Sequence, residues 1–291
     1  MAGPGRGLAD VTRQARAVLD AAGIDTADLD ARLLVEWVTG CDALETIRNP
    51  DRHVHDGERA QLDAALSRRI SGESVHRILG RRAFYGIELA LSAETLEPRP
   101  DTEALVELAL PFLRERIGRQ GVADIADLGT GTGAIALALL DQLPQLRAIG
   151  VDISHDALAT ARANAERLGL SARFSGLHSD WVANLSGSYD MIISNPPYIA
   201  SSEIARLQRE VALHDPRQAL DGGSDGLGPY RIIAGQARSH LRPGGGVALE
   251  IGAGQRADIE AIFDKENFTL TAVQEDYGGH ERALLFRPVE K

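Results

Sequence analysis

The sequence predicts an α/β fold, a Rossmann-like sheet preceded by a small helical domain. Three observations carry that prediction. Residues 122–140 run as a strand, a glycine-rich turn and an apolar helix, the start of a Rossmann-like unit. Asp127, Asp152 and Asp180 fall at successive strand ends, where open α/β sheets bind ligands. A further strand-like run, residues 189–194, stops at Asn195-Pro196-Pro197-Tyr198, because two prolines remove two backbone donors and fix φ twice.

The totals narrow the function. A chain of 291 residues, 44% hydrophobic and 25% charged, is long enough for one sizeable core and a small extra domain. A net charge of −11 argues against a general nucleic-acid or anionic-membrane binder. Cys41 is the single cysteine, so no internal disulfide and no Cys-rich metal site is expected. His53 and His55, the closest histidine pair, have no matching carboxylate or cysteine cluster, and no metal is expected there. No apolar run reaches transmembrane length, and the first residues lack the apolar stretch of a secretory signal. The cytoplasm is the expected compartment.

The first third reads as helices. Leu8, Val11, Ala15, Val18, Leu19 and Ala22 recur at helical spacing up to Gly23. Leu29, Leu33, Leu34, Trp37 and Val38 form a second face ending at Gly40, with Trp37 read as core. Asp56 is placed as the cap of a third helix bearing Leu62, Ala65, Leu66 and Ile70. Together these give a helical domain over residues 1–78. Arg68, Arg69, Arg77, Arg81 and Arg82 are read as a solvated face, with contact to an acidic partner as the alternative. Residues 84–91 alternate around Gly86, which predicts a hairpin within a linker over 79–97. Asp101 is placed as the cap of the next helix, which Pro111 should kink or split.

The ligand half of the site follows. In Gly129-Thr130-Gly131-Thr132-Gly133 the glycines permit a tight turn and close approach to a ligand. The G-x-G-x-G spacing departs from the dinucleotide fingerprint. The strand at 148–151 ends in Asp152, about twenty residues after the glycines, where an acid binds ribose hydroxyls. Ser154 caps the following helix, and a third short strand is expected at 172–174. Beyond it Asp180 can accept from an adenine amino group and Trp181 can cover the ring. Helix is further expected at 203–211 and 230–241, the latter stopped by Arg242-Pro243-Gly244-Gly245-Gly246. Residues 216–229 read as a loop, either a cover for the site or plain surface. Residues 247–251 read as a core strand holding Glu250, and alternation returns at 268–273 and 283–286.

Asn195-Pro196-Pro197-Tyr198 suits a planar amino group. The Asn195 amide oxygen and the Pro196 carbonyl oxygen are two adjacent acceptors for the hydrogens of an –NH2. Tyr198 and Pro197 can lie against the same plane. Such a site orients a weakly nucleophilic amide or aromatic amine towards an electrophile.

Both motifs together resemble a class I S-adenosylmethionine-dependent methyltransferase. The glycine turn, Asp152 and Asp180-Trp181 match that family's cofactor pocket, and Asn-Pro-Pro-Tyr matches its amino-group-acceptor motif. Arg77-Ile78-Leu79-Gly80, Phe84-Tyr85-Gly86, Pro98 through Glu103, Asp127 through Ala136, Ser179-Asp180-Trp181, Ser194 through Ile199 and Asp276-Tyr277-Gly278 are similar, in this order, to the peptide-chain-release-factor glutamine methyltransferases of the HemK/PrmC family. One departure is Arg81-Arg82-Ala83, where many relatives carry Glu before the Phe. The resemblance implies a seven-stranded sheet whose last pair is antiparallel, in a methyltransferase domain over 98–291. It implies S-adenosylmethionine as cofactor, S-adenosylhomocysteine as product, and methyl transfer to N5 of the Gln in the Gly-Gly-Gln motif of class 1 release factors. Cofactor contacts would come from Asp127, Gly129 to Gly133, Asp152, Asp180, Trp181 and Asn195; substrate contacts from Asn195, Pro196, Pro197 and Tyr198, with Asn195, Pro196 and Tyr198 catalytic. A monomer that binds neither membrane nor nucleic acid is expected. The alternatives are an N6-adenine methyltransferase, a ribosomal protein L3 glutamine methyltransferase and a non-catalytic cofactor-binding protein.

Overall fold

The computed structural model describes residues 7–207 and 209–290. The chain divides into two units, one of residues up to 80 with the segment ending at His214, and one of residues 81–207 with 215 onwards.

The first unit is helical: α1 (Leu8–Ala21), α2 (Ala27–Thr39), α3 (Ala43–Arg48), α4 (Asp56–Ile70), α5 (Val75–Leu79) and, from later in the chain, α9 (Arg209–His214). Its core joins Leu8, Val11, Ala15 and Leu19 of α1 to Ala27, Ala31, Leu34 and Val35 of α2, with Leu62, Ala65 and Leu66 of α4. Those stripes leave out four large residues expected in the core, and Ala22, exposed just past the end of α1. Val18, Leu29, Trp37 and Ile70 are exposed, Trp37 at 39%, because each lies off its helix's buried face. Asp56 is the first residue of α4 rather than its cap. His55 precedes the helix, and the Glu58 carboxylate accepts from its backbone N–H at 2.7 Å. Sequence periodicity misses α3 and α5, which are too short to show it. Arg69 is not on a solvated face: it is buried, paired with Asp30 and Glu210 at 2.6 Å each. Arg68 pairs with Glu73 at 2.6 Å.

The second unit opens with a hairpin, β1 (Arg81–Phe84) and β2 (Ile87–Ala90), turning at Tyr85-Gly86. It begins three residues before the predicted span, since the turn sits on the glycine itself. Phe84, Ile87 and Leu89 enter the main core. A 3-10 turn at Pro100–Thr102 leads into α6 (Glu103–Gln120), so Thr102 and not Asp101 takes the cap position. Pro111 sits inside α6 without splitting it; the lost hydrogen bond is outweighed by packing of Leu105, Leu108, Leu110, Phe112 and Leu113.

The sheet comprises β3 (Ala123–Leu128), β4 (Leu146–Asp152), β5 (Phe174–His178), β6 (Tyr189–Ser194), β7 (Leu241–Glu250), β8 (Phe268–Glu275) and β9 (Glu281–Pro288). Its seven strands run in the order β5-β4-β3-β6-β7-β9-β8. Strands β3 to β7 pair in parallel, while β9 is antiparallel to both β7 and β8. Alternation assigns the two faces. Ile125, Met191, Ile193 and Ala248 pack with α6, α7 (Ala134–Gln142) and α8 (His155–Arg167). Ala126, Leu128, Ile192 and Leu249 pack with α10 (Gly228–Ala237) and α11 (Arg256–Lys265).

Four boundaries differ from the sequence reading. Strand β5 begins after a turn at 171–173 rather than within it. The stretch 203–211 is not one helix but a 3-10 turn at Ile204–Arg206 and then α9, with residue 208 outside the described residues. A 3-10 turn at Arg238–His240 follows α10. Residues 242–246 are the first half of β7, not a helix stop. There Gly245 lies so close to β6 that a Cβ would come within 3.0 Å of the Asp190 carbonyl oxygen.

Candidate active site

The carboxyl ends of β3, β4 and β6 open into one cavity of about 700 Å³, within the range of small-molecule sites. Its wall includes Gly129, Thr130, Gly131 and Thr132, then Asp152, Asp180, Trp181, Asn195 and Pro197.

The glycine turn is tied down from several sides. The N–H groups of Gly129 and Thr130 donate to the Val151 carbonyl at 2.8 and 3.0 Å. Gly131 N–H donates to the Asp152 carboxylate at 2.9 Å, and the other Asp152 oxygen accepts from Ser154 N–H at 2.9 Å. Gly129 and Gly131 take φ of +70° and +54°, and where a Cβ would stand there is open space. Gly133 ends the turn as the residue before α7 and faces Leu137 and Ala161 rather than the cavity. Asn164 of α8, fully buried, donates to the Thr132 and Ala90 carbonyls at 2.9 and 3.1 Å. That one side chain fastens the turn to the hairpin.

Asp127 lies beneath the turn rather than on the cavity wall. It accepts from the Thr130 hydroxyl at 2.7 Å, while its Oδ1 is buried with no partner among the described residues. Burial, and the nearby Asp152 charge, push its pKa up to about 7 despite that hydrogen bond. Asp180 is exposed; Trp181, half-buried, takes φ +48° and packs against the second core.

Asn195 begins the acceptor segment beyond β6. Its Nδ2 donates to the Thr102 hydroxyl at 3.2 Å. Pro196 is buried. Tyr198 does not reach the cavity wall but turns inward. Its carbonyl accepts from Gln255 Nε2 at 3.0 Å, and its ring packs against the core of the α10 and α11 face. Burial and the Glu250 charge push the Tyr198 pKa up to about 12. The segment 216–229 also lines the cavity, through Pro216 to Ala219, Asp221 to Gly223, Gly228 and Pro229. It is bound to the acceptor segment by Ile199 N–H to the Leu220 carbonyl, 3.1 Å, and Gly222 N–H to the Ile199 carbonyl, 2.8 Å.

The donor set fits S-adenosylmethionine: an acid at the end of β4, an open glycine turn beside it, and an acidic residue with an indole at the far wall. Among the described residues no cluster of His, Cys, Asp and Glu has metal-holding geometry.

Residues 10–80 match the PrmC N-terminal domain family, and residues 106–225 match the methyltransferase small domain. A release factor glutamine methyltransferase of Agrobacterium fabrum is 52% identical over 273 residues, covering 94% of each chain. The chain belongs to the release factor glutamine methyltransferase family. A second relative of that name, from Rhodospirillum rubrum, is 45% identical over 92% of this chain and 81% of its own. A crystallised methyltransferase of Pyrococcus furiosus, at 17% identity, shares the fold with a TM-score of 0.50 over 80% of this chain and 98% of that one.

Thr102, Asn164, Gln255 and the lining residues Glu94, Leu96 and Arg99 escape sequence reasoning as site residues. Thr102 had a signal, since it lies in the Pro98–Glu103 stretch on which the resemblance to the release factor glutamine methyltransferases partly rests. Asn164 had none, because an Asn inside an alanine-rich helix reveals its three partners only in the fold.

Proposed function

We propose that this chain transfers the methyl group of S-adenosylmethionine to the side-chain amide nitrogen of the Gln in the Gly-Gly-Gln motif of class 1 release factors. The observation that carries the reading is that Asn195 and Pro197 stand on the wall of the same cavity as the glycine turn and Asp152.

An amide nitrogen is a poor nucleophile because its lone pair is delocalised into the carbonyl. The cofactor supplies a methyl group already activated on a sulfonium sulfur. The chain must therefore hold the nitrogen in line with it at near-attack distance. Asn195 Oδ1 and the Pro196 carbonyl accept the two amide hydrogens and stabilise the charge that grows on nitrogen as its lone pair is drawn out. Pro197 limits the tilt of the amide plane, and Tyr198, held by Gln255, fixes Pro197 in turn. When bound, S-adenosylmethionine would supply that methyl with its sulfur keeping the carbon–sulfur electron pair, and one amide proton of the substrate would leave to water. Asp152 would hold the ribose hydroxyls, with the glycine turn, Asp180 and Trp181 around the rest of the cofactor. The enzyme works as a monomer in the cytoplasm and does not bind nucleic acid.

The test is transfer of tritium from labelled S-adenosylmethionine to unmodified release factor, beside its Gly-Gly-Gln Gln→Ala variant, ribosomal protein L3 and unmodified DNA. Label is expected on the release factor alone and is lost with the Gln→Ala change. Label confined to L3 or DNA would overturn the substrate.

A further inference from the structure

The segment between β2 and α6 brings a second carboxylate to the Asp152 end of the cavity. Glu94 lines the same cavity as Asp152 and Ser154. It projects from a fixed turn. Ser92 N–H donates to the Thr95 hydroxyl at 2.9 Å, that hydroxyl donates to the Ser92 carbonyl at 3.2 Å, and Thr95 is fully buried. Glu94 N–H in turn donates to the Asp156 carboxylate, in the first turn of α8, at 3.3 Å.

Ser154 stands between the two carboxylates. Its N–H donates to Asp152 Oδ1 at 2.9 Å, and its hydroxyl donates to Glu94 Oε2 at 2.5 Å. The same hydroxyl oxygen accepts from Ala157 N–H at 3.0 Å, so it is held from the helix side as well. One residue therefore fixes both acids side by side. Among the described residues no cation pairs with either. Each Asp152 oxygen accepts one N–H, from Gly131 or Ser154, while Glu94 Oε1 accepts nothing among the described residues. Glu94 is exposed, so its free oxygen is open to a ligand. Two adjacent carboxylates with spare lone pairs and no cation suit a ligand that brings two hydroxyl donors on neighbouring carbons, as a ribose does.

We propose that Glu94 is a second ribose acceptor: Asp152 takes one hydroxyl of the cofactor's ribose, Glu94 takes the other, and Ser154 sets their separation. Because the turn and Ser154 hold Glu94 before the cofactor arrives, little side-chain freedom is lost on binding. The proposal rests on the reading of the cavity as a cofactor site with Asp152 at the ribose, and does not depend on the methyl acceptor.

The test is calorimetric binding of S-adenosylhomocysteine, and of its 2′-deoxy and 3′-deoxy analogues, to wild type and Glu94→Ala. The substitution removes an exposed side chain and leaves the core intact. Glu94→Ala is expected to bind S-adenosylhomocysteine about tenfold more weakly, the scale of one hydrogen bond to a charged acceptor. With the analogue that lacks the hydroxyl held by Glu94, the two proteins bind within about twofold of each other; with the other analogue the loss of about tenfold persists. Binding of S-adenosylhomocysteine by Glu94→Ala within about twofold of wild type would overturn the assignment. A loss that persists with both analogues would overturn it too, because the carboxylate would then act on the turn and not on a hydroxyl. Analogues that bind wild type as tightly as the parent compound would remove the ribose reading of Asp152 as well, and a wild type that does not bind S-adenosylhomocysteine would remove the cofactor reading itself.

Discussion

Two buried carboxyls dominate the chemistry at the residue scale. Asp127 and Glu250 both have pKa values pushed up to about 7 by burial, above their usual 3.8 and 4.5. In each case the folded state holds a proton that the unfolded chain releases. The stability gained is complete below the unfolded pKa and is lost as pH rises through 7. The melting temperature should therefore fall between pH 5 and pH 8, with Glu250 alone carrying about 3 kcal/mol of that loss. Glu250→Gln should flatten the profile and melt higher than wild type at pH 8; a profile as steep as wild type would contradict the assignment. Sequence reading found Glu250 only as part of a core strand. A lone Glu in an apolar run does not reveal that its carboxyl is buried with one oxygen short of a partner among the described residues.

The decisive contacts among elements are backbone approaches that only glycine allows. A Cβ on Gly222 would lie 2.7 Å from the Pro197 carbonyl oxygen, which binds the 216–229 segment to the acceptor loop. Gly222→Ala should displace that loop, cost roughly 1–3 kcal/mol of stability and lower kcat, read by calorimetry and turnover together. Unchanged turnover would mean the segment is not coupled to the acceptor. At the opposite ends of the strands, buried Asp190 accepts from Arg116 at 2.7 Å, Gln120 at 2.7 Å, Asp124 N–H at 2.9 Å and Arg242 at 2.6 Å. Asp190→Ala leaves the Asp124 N–H and Arg116 without their carboxylate, though Arg242 keeps Asp124 at 2.5 Å, and should cost about 3–5 kcal/mol in denaturant unfolding, with kcat of the folded protein unchanged. A loss of kcat without loss of stability would show that this knot reaches the site. Strand–turn–helix order and the acceptor tetrapeptide were legible because they are local. The bounds of strand β5, the continuous α6 through Pro111 and the two short helices were not, since packing rather than local periodicity decides them.

On the scale of the whole molecule, the sheet order explains why residues as distant in sequence as Asp152 and Asn195 meet. Strands β4, β3 and β6 are neighbours, so their carboxyl ends, and the residues that follow them, converge. Ligand-contact candidates were readable as strand-end residues, whereas the second layer behind them had to await the fold: Thr102 against Asn195, Asn164 under the glycine turn and Gln255 on the Tyr198 carbonyl. A net charge of −11 suits a protein substrate better than a nucleic acid. The measurement that reaches the central claim most directly is single-turnover methyl transfer by Asn195→Ala, at saturating cofactor and release factor, with cofactor affinity determined by calorimetry on the same protein. A loss of about a hundredfold or more in transfer, at cofactor affinity close to wild type, is the predicted result. Near-normal transfer would contradict the account.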